Sequence, residues 1–108
     1  MFAPSSKEEL DTNEKVITLL QLAQKAGKLI CGFDSVSRSI HKGNIKLIIL
    51  SKDLSLHTRK KIVSLNQTLN IPIAVWGEKR FSLAFIHKET GIIAVTDTNF
   101  KNGLLKHI

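Results

Sequence analysis

Residues 19–55 read LLQLAQKAGKLICGFDSVSRSIHKGNIKLIILSKDLS, and the order of patterns within this stretch sets the fold class. Leu19, Leu20 and Ala23 continue a helical spacing that begins at Val16, and Gly27 supplies its stop. Lys28 to Cys31 then reads as a short strand. From Gly32 onward, Phe33, Val36 and Ile40 recur at helical intervals until Gly43, which predicts a helix of about ten residues. Lys46-Leu47-Ile48-Ile49-Leu50-Ser51 is too uniformly apolar for a half-exposed strand, and it suits a central one covered on both faces.

Working outward, Asp11-Thr12-Asn13-Glu14 places side-chain acceptors before a glutamate at capping-box spacing, which predicts the start of the first helix. Met1 to Leu10 shows no periodicity and is expected to be a mobile lead-in to a single domain over residues 11–108. Downstream, Asp53 or Ser55 can cap a third helix that turns Leu56, Val63 and Leu69 inward and ends at Asn70-Ile71-Pro72. Ile73 to Trp76 reads as another buried strand, Gly77 to Lys88 as a fourth helix and Gly91 to Thr96 as a fourth strand. A final helix over Phe100 to Lys106 is weakened by Gly103. Helix and strand alternate throughout, so the expected fold is a three-layer α/β/α sandwich around a central mixed four-stranded sheet.

Composition narrows the function. The chain has 108 residues, 43% of them hydrophobic and 23% charged, which suits one folded domain rather than a disordered tail. Its longest apolar run, Leu47 to Leu50, is far short of the ~20 residues of a spanning helix, and Met1-Phe2-Ala3-Pro4 opens no signal-peptide pattern. A soluble cytoplasmic protein is expected, without a membrane partner. Cys31 is the single cysteine, so an intrachain disulfide is impossible, and a small core residue is the expected role rather than a nucleophile. Sixteen Lys+Arg against nine Asp+Glu give a net charge of +7, a balance that favours polyanionic partners, nucleic acid first. The sign is uneven, because Glu8, Glu9, Asp11 and Glu14 outnumber Lys7 in the first fourteen residues.

Enzyme signatures are lacking. The sequence contains no glycine-rich phosphate loop, no histidine pair at metal-ligand spacing and no nucleophile elbow. No catalytic residue, metal, organic cofactor or small-molecule substrate is therefore expected. His41, His57, His87 and His107 lie on different elements, and Trp76 at a strand end is expected to pack in the core. What remains is a helix start. Gly32-Phe33-Asp34-Ser35-Val36-Ser37-Arg38 sets a glycine, small polar residues and a cation over the first turns of a helix that follows a strand. Free backbone N–H groups there favour phosphate oxygens, Ser35, Ser37 and Arg38 can add contacts, and Gly32 admits a close backbone approach. A plain N-cap by Asp34 or Ser35, with nothing bound, fits the same residues. Lys28 precedes the segment, and Lys42 follows Arg38 at i+4; Lys28 and Arg38 would form a basic rim if they share one edge of the sandwich. Arg59, Lys60 and Lys61 are consecutive and must point in three directions.

The 19–55 stretch, followed by Asn70-Ile71-Pro72 and Gly91-Ile92-Ile93-Ala94-Val95-Thr96-Asp97, resembles the L7Ae/L30e ribosomal-protein superfamily over roughly residues 13–100, most closely its short bacterial YlxQ-like branch. The resemblance implies an α/β/α sandwich that binds kink-turn RNA, a sharply bent duplex with a bulge beside tandem sheared G·A pairs. It implies that Gly32 occupies the glycine of a Gly-x-Asn-Glu segment that reads those guanines, that Lys28 and Arg38 are phosphate-holding cations, and that the loop His87 to Ile92 covers an extruded base. Thr90, Gly91 and Ile92 would lie nearest the tip of that loop, while Lys88 and His87 offset the charge of Glu89. Two positions depart from the pattern: Asp34 stands for the asparagine and Ser35 for the glutamate. Asparagine both donates to and accepts from a guanine edge, whereas ionised aspartate only accepts.

The function these readings lead to is a non-catalytic, monomeric protein that recognises structured RNA, with ribosomal RNA a candidate. The interface would comprise Lys28, Gly32, Phe33, Asp34, Ser35, Ser37, Arg38, Lys42, Lys88, Thr90, Gly91 and Ile92. The alternative is a protein-interaction module that keeps the fold without specific RNA recognition, a reading motivated by Asp34 and Ser35.

Overall fold

The computed structural model describes residues 3–77 and 90–108, with side chains from residue 13 onward. The helix expected over Gly77 to Lys88, and with it Lys88 and the first part of the His87–Ile92 loop, lies outside the described residues.

The elements run α1 (Ala3–Lys25), β1 (Leu29–Cys31), α2 (Phe33–Ser39) with a 3-10 turn over Ile40–Lys42, β2 (Leu47–Leu50), α3 (Leu56–Leu65), β3 (Ile73–Val75), β4 (Ile92–Val95) and α4 (Thr98–Leu105). The four strands form one mixed sheet in the order β1-β4-β2-β3. β4 is antiparallel to both β1 and β2, while β2 and β3 are parallel.

Period-2 alternation in the strands feeds two cores. Leu47, Ile49, Ile93 and Val95 turn to one face, where Val16 and Leu20 of α1 and Leu104 of α4 cover them. Ile48, Leu50, Ile92 and Ala94 turn to the other, against Val36 of α2, Ile40 and Ile62 of α3. The expected α/β/α sandwich is therefore present. Every residue of β2 and β4 is buried, as the uniformly apolar run in β2 required.

The observed elements differ from the sequence reading at four places. In α3 the stripe that meets the core runs through Ile62, with Leu65 and Leu69 packed partly buried beside it, so Leu56 and Val63, expected to point inward, are 65% and 53% exposed on the outer side. α1 begins at Ala3 rather than near Asp11, so Asp11 to Glu14 lie inside a helix instead of capping one. Pro4 does not prevent this, since the first-turn N–H groups have no intrahelical acceptor to lose. β3 lies at the sheet edge rather than in the interior, and Val75 is 42% exposed. α4 forms despite Gly103, because Asp97 Oδ1 accepts from Phe100 N at 3.0 Å and caps it. A Cβ at position 103 would stand 3.4 Å from Leu19 Cδ1, an ordinary contact distance, so the packing of α4 on α1 leaves room for a side chain there.

Local signals account for the turns. Ser55, not Asp53, caps α3 by accepting from Thr58 N at 3.2 Å. The Asn66 side chain both accepts from Ile71 N (2.9 Å) and donates to Ile71 O (2.8 Å), which closes the path from α3 into β3. No helix among the described residues is long and apolar enough to cross a membrane.

The two-core arrangement predicts a sharp contrast between central and edge positions. Ile93→Ala, at a fully buried site, should cost ~2–5 kcal/mol, whereas Val75→Ala on the edge should stay within ~0.5 kcal/mol. Urea unfolding of the two variants measures both.

Candidate nucleic-acid interface

Strand direction defines two rims of the sandwich. β1 and β2 end, and β4 begins, at the upper rim. There Gly32 N donates to Ile92 O at 3.0 Å and Ser51 N to Gly91 O at 2.9 Å. These two bonds bring the start of α2, the loop before β4 and the end of β2 to one place. At the lower rim, Lys28 O accepts from Thr96 N at 3.0 Å, and Lys46 N donates to Val95 O at 2.7 Å.

The start of α2 is shaped by Gly32. Its φ of 91° and ψ of 153° lie in a region that residues with a Cβ rarely enter, and a Cβ placed there would meet nothing within 4 Å. Backbone conformation alone, rather than a crowded neighbour, therefore selects glycine, and the space beyond it is open. No side chain caps the helix. Thus neither Asp34 nor Ser35 makes the plain N-cap that the sequence also allowed. Ser37 Oγ instead donates to Asp34 O at 3.1 Å, and Arg38 Nη2 reaches Ser35 Oγ at 3.4 Å, both at exposed positions. The first N–H groups of the helix keep no intrahelical acceptor, and they stand beside two hydroxyls and a guanidinium.

Not every expected residue joins this cluster. Lys28 is exposed at the lower rim, four residues and therefore ~13 Å along the chain from Gly32. It does not share an edge with the α2 start, so no rim forms between Lys28 and Arg38 there. Lys42 ends the 3-10 turn, ~14 Å of helix away from Phe33, and is exposed there.

The loop before β4 also departs from expectation. Ile92 is only 2% exposed and packs in the α2/α3 core, so its side chain cannot cover an extruded base. Thr90 Oγ1 folds back on Ile92, donating to its carbonyl at 3.0 Å and accepting from its N–H at 3.2 Å. Gly91 is buried, and a Cβ there would come within 2.7 Å of Leu54 Cδ1 and 3.0 Å of Ser51 Oγ. Among the described residues of this loop, the upper rim therefore presents backbone and a threonine, not an aliphatic side chain.

Three residues absent from the sequence reading of the site sit at the same rim. Ser51 is fully buried and donates through Oγ to Asp53 Oδ1 at 2.7 Å. Arg59 turns Nη2 toward Ser51 O at 3.4 Å, while its Nε is buried without a partner. Lys61 places Nζ 5.6 Å from the centroid of the Phe33 ring. Their consecutive spacing had shown only that Arg59, Lys60 and Lys61 diverge; which of them meets α2 depends on how α3 is rotated.

Cys31, adjacent to Gly32, is half-buried, and desolvation pushes its thiol above the ordinary range. Because the unfolded thiol ionises first, the resulting stability is full below the ordinary thiol pKa and is lost as pH rises toward the folded value.

Residues 14–103 match the Ribosomal protein L7Ae/L30e/S12e/Gadd45 family. Over 88 residues the chain is 33% identical to the RNA-binding protein YlxQ of Bacillus subtilis (strain 168), covering 81% of this chain and 88% of that one. It is 25% identical over 87 residues to the RNA-binding protein YlxQ of Enterococcus faecium, covering 81% and 84% respectively. A Bacillus halodurans C protein of unknown function superposes with a TM-score of 0.76 at 33% identity, over 85% of this chain and 94% of that one. The Giardia lamblia 15.5kD RNA binding protein shares the fold alone, with a TM-score of 0.70 at 11% identity over 89% and 83% of the two chains. The fold and the helix-start site define a small α/β/α protein of the L7Ae type. The chain belongs to the L7Ae/L30e/S12e/Gadd45 family, and within it the curated relatives are YlxQ proteins of the short bacterial branch.

The two rim glycines should respond differently to one methyl group. Gly32→Ala should cost ~1–3 kcal/mol through backbone strain. Gly91→Ala should cost a similar ~1–3 kcal/mol through collision with Leu54. Adding Leu54→Ala should recover part of the loss at Gly91 and none at Gly32, as a double-mutant cycle in urea would measure. For Cys31, iodoacetamide labelling of the folded chain at mildly alkaline pH should run well behind that of a free peptide thiol.

Proposed function

We propose that this protein is a non-catalytic, monomeric cytoplasmic RNA-binding protein that recognises bent, kink-turn-like structured RNA at the upper rim of the sandwich. Ribosomal RNA is the leading candidate source. The observation that carries the reading is the α2 start: an uncapped helix, opened by Gly32 in a conformation that leaves its outer side clear, with Ser35, Ser37 and Arg38 on its first turns. Family membership and the RNA-binding relatives support the same reading.

The mechanism is selection of a prebent backbone. Helix N–H groups and Arg38 take phosphate oxygens, which provide affinity and salt dependence without reading sequence. Ser35 and Asp34 face base edges, with Asp34 able to accept from guanine or cytosine amino groups but unable to donate while ionised. Gly91 and Thr90 form a second wall whose distance from α2 is held by the Gly32–Ile92 and Ser51–Gly91 backbone bonds. A sharply bent duplex can touch both walls; a straight one meets only one.

A second reading rests on α3, where Leu56 and Val63 are 65% and 53% exposed on its outer side. Such residues suit a protein partner, and complex formation that survives ribonuclease and ignores salt would favour it.

A salt-titrated binding assay on an intact kink-turn RNA, a straight duplex of equal length and a kink-turn with its G·A pairs replaced tests the first reading. Preference for the intact kink-turn is expected. Arg38→Ala should weaken binding by roughly tenfold and lower the salt slope by about one ion. Equal affinity for all three RNAs would leave only general charge attraction, and unchanged affinity in Arg38→Ala would remove α2 from the interface.

A further inference from the structure

We propose that Lys61 of α3 is a phosphate-contacting residue of this interface, supplying from the neighbouring helix the positive charge that the first turn of α2 lacks. The inference rests on the RNA-binding reading above. Its footing is the placement of Nζ 5.6 Å from the Phe33 ring centroid, because Phe33 is the first residue of α2 and follows Gly32 directly. The ring quadrupole holds an ammonium at that site, and the ring brings no counter-charge, so the cation stays available to an anion.

The local charge balance explains why a cation is needed there. Asp34, exposed and next to Phe33, sets a carboxylate where a phosphate would approach the uncapped N–H groups. Lys28 stands at the opposite end of β1 and accepts there from Thr96 N through its carbonyl. Arg38 lies a further turn along α2 and engages Ser35. Of the three consecutive cations on α3, Arg59 turns to the Ser51 carbonyl, and Lys60 is exposed in a shallow groove with Leu56 and Val63. Of the three, it is Lys61 whose ammonium stands against the first residue of α2. The α3 segment LHTRKKIVSL contains no acid, so nothing within its own helix neutralises Lys61.

An RNA strand passing over Gly32 would thus meet two cations, Arg38 on α2 and Lys61 on α3, beside the Asp34 carboxylate. The contact is to backbone phosphate and is blind to base identity. It extends the interface across the α2–α3 junction, and it makes Asp34 tolerable beside phosphates.

The test is fluorescence anisotropy of the full chain with intact kink-turn RNA over a potassium chloride series. Lys61→Met keeps an unbranched side chain and removes the charge; it should bind roughly three- to tenfold more weakly at low salt, with the salt slope reduced by about 0.7–0.9. Lys61→Arg should retain both affinity and slope. Lys60→Met should match the wild type. Wild-type affinity and slope in Lys61→Met, alongside weakened binding in Arg38→Ala, would overturn the role of Lys61 and leave the RNA reading standing. Equal losses in Lys60→Met and Lys61→Met would overturn it too, as would weakened binding with an unchanged slope, which a purely structural role produces. Failure of the wild type to bind any RNA would overturn both readings together.

Discussion

Burial of β2 and β4 on both faces is the constraint from which the remaining architecture follows. Eight consecutive-pair positions, Leu47 to Leu50 and Ile92 to Val95, leave no side chain of either strand in water. Each large aliphatic residue so placed contributes ~1.5–3 kcal/mol by leaving solvent, and alternate residues point to opposite faces. A single covering layer would strand half of them. Helices must therefore pack on both sides, α1 and α4 on one and α2 and α3 on the other. The short strands β1 and β3 take the edges, where partial exposure is tolerated.

The same constraint locates the site. Backbone at the ends of the two central strands leaves the ladder, so chain reversals gather at the upper rim. Gly32 N–H and Ser51 N–H extend the hydrogen bonding into those reversals, to Ile92 O and Gly91 O. The helix start and the loop before β4 thereby become one rigid unit, without needing a side-chain contact between them. Burial of Ile92 is the cost to recognition, since the residue that holds the loop in the core is no longer available to a base. Cations from α2 and α3 then stand at the rim beside the carboxylates of Asp34 and Asp53.

Much of this was legible in the chain because the relevant signals are local. The run Leu47 to Leu50 has no polar partner positions and could only be a doubly covered strand. Ser55 stands directly before a helical pattern, and Gly32 between a strand and a helix marks a backbone turn. Structure departs from local pattern where that pattern is ambiguous. Residues 1–10 lack hydrophobic periodicity, yet helix formation does not require an apolar face when good helix formers continue into a packed segment. β3 is as apolar as an interior strand, and only the sheet order makes it an edge. Lys28 resembles its family counterpart in the AGK turn, but three intervening strand residues carry it to the far rim.

Composition and periodicity alone determined the α/β/α class, the positions of the central strands and the basic character of the chain, since each follows from which residues can face water. The opening of α2 by a glycine was also written into the order of residues. Tertiary structure decided which cations share a surface, that Ile92 belongs to the core and that Lys61 meets Phe33. Those outcomes depend on sheet order and on the rotation of α3 against α2, which are set by the simultaneous packing of two cores and by no short stretch of sequence.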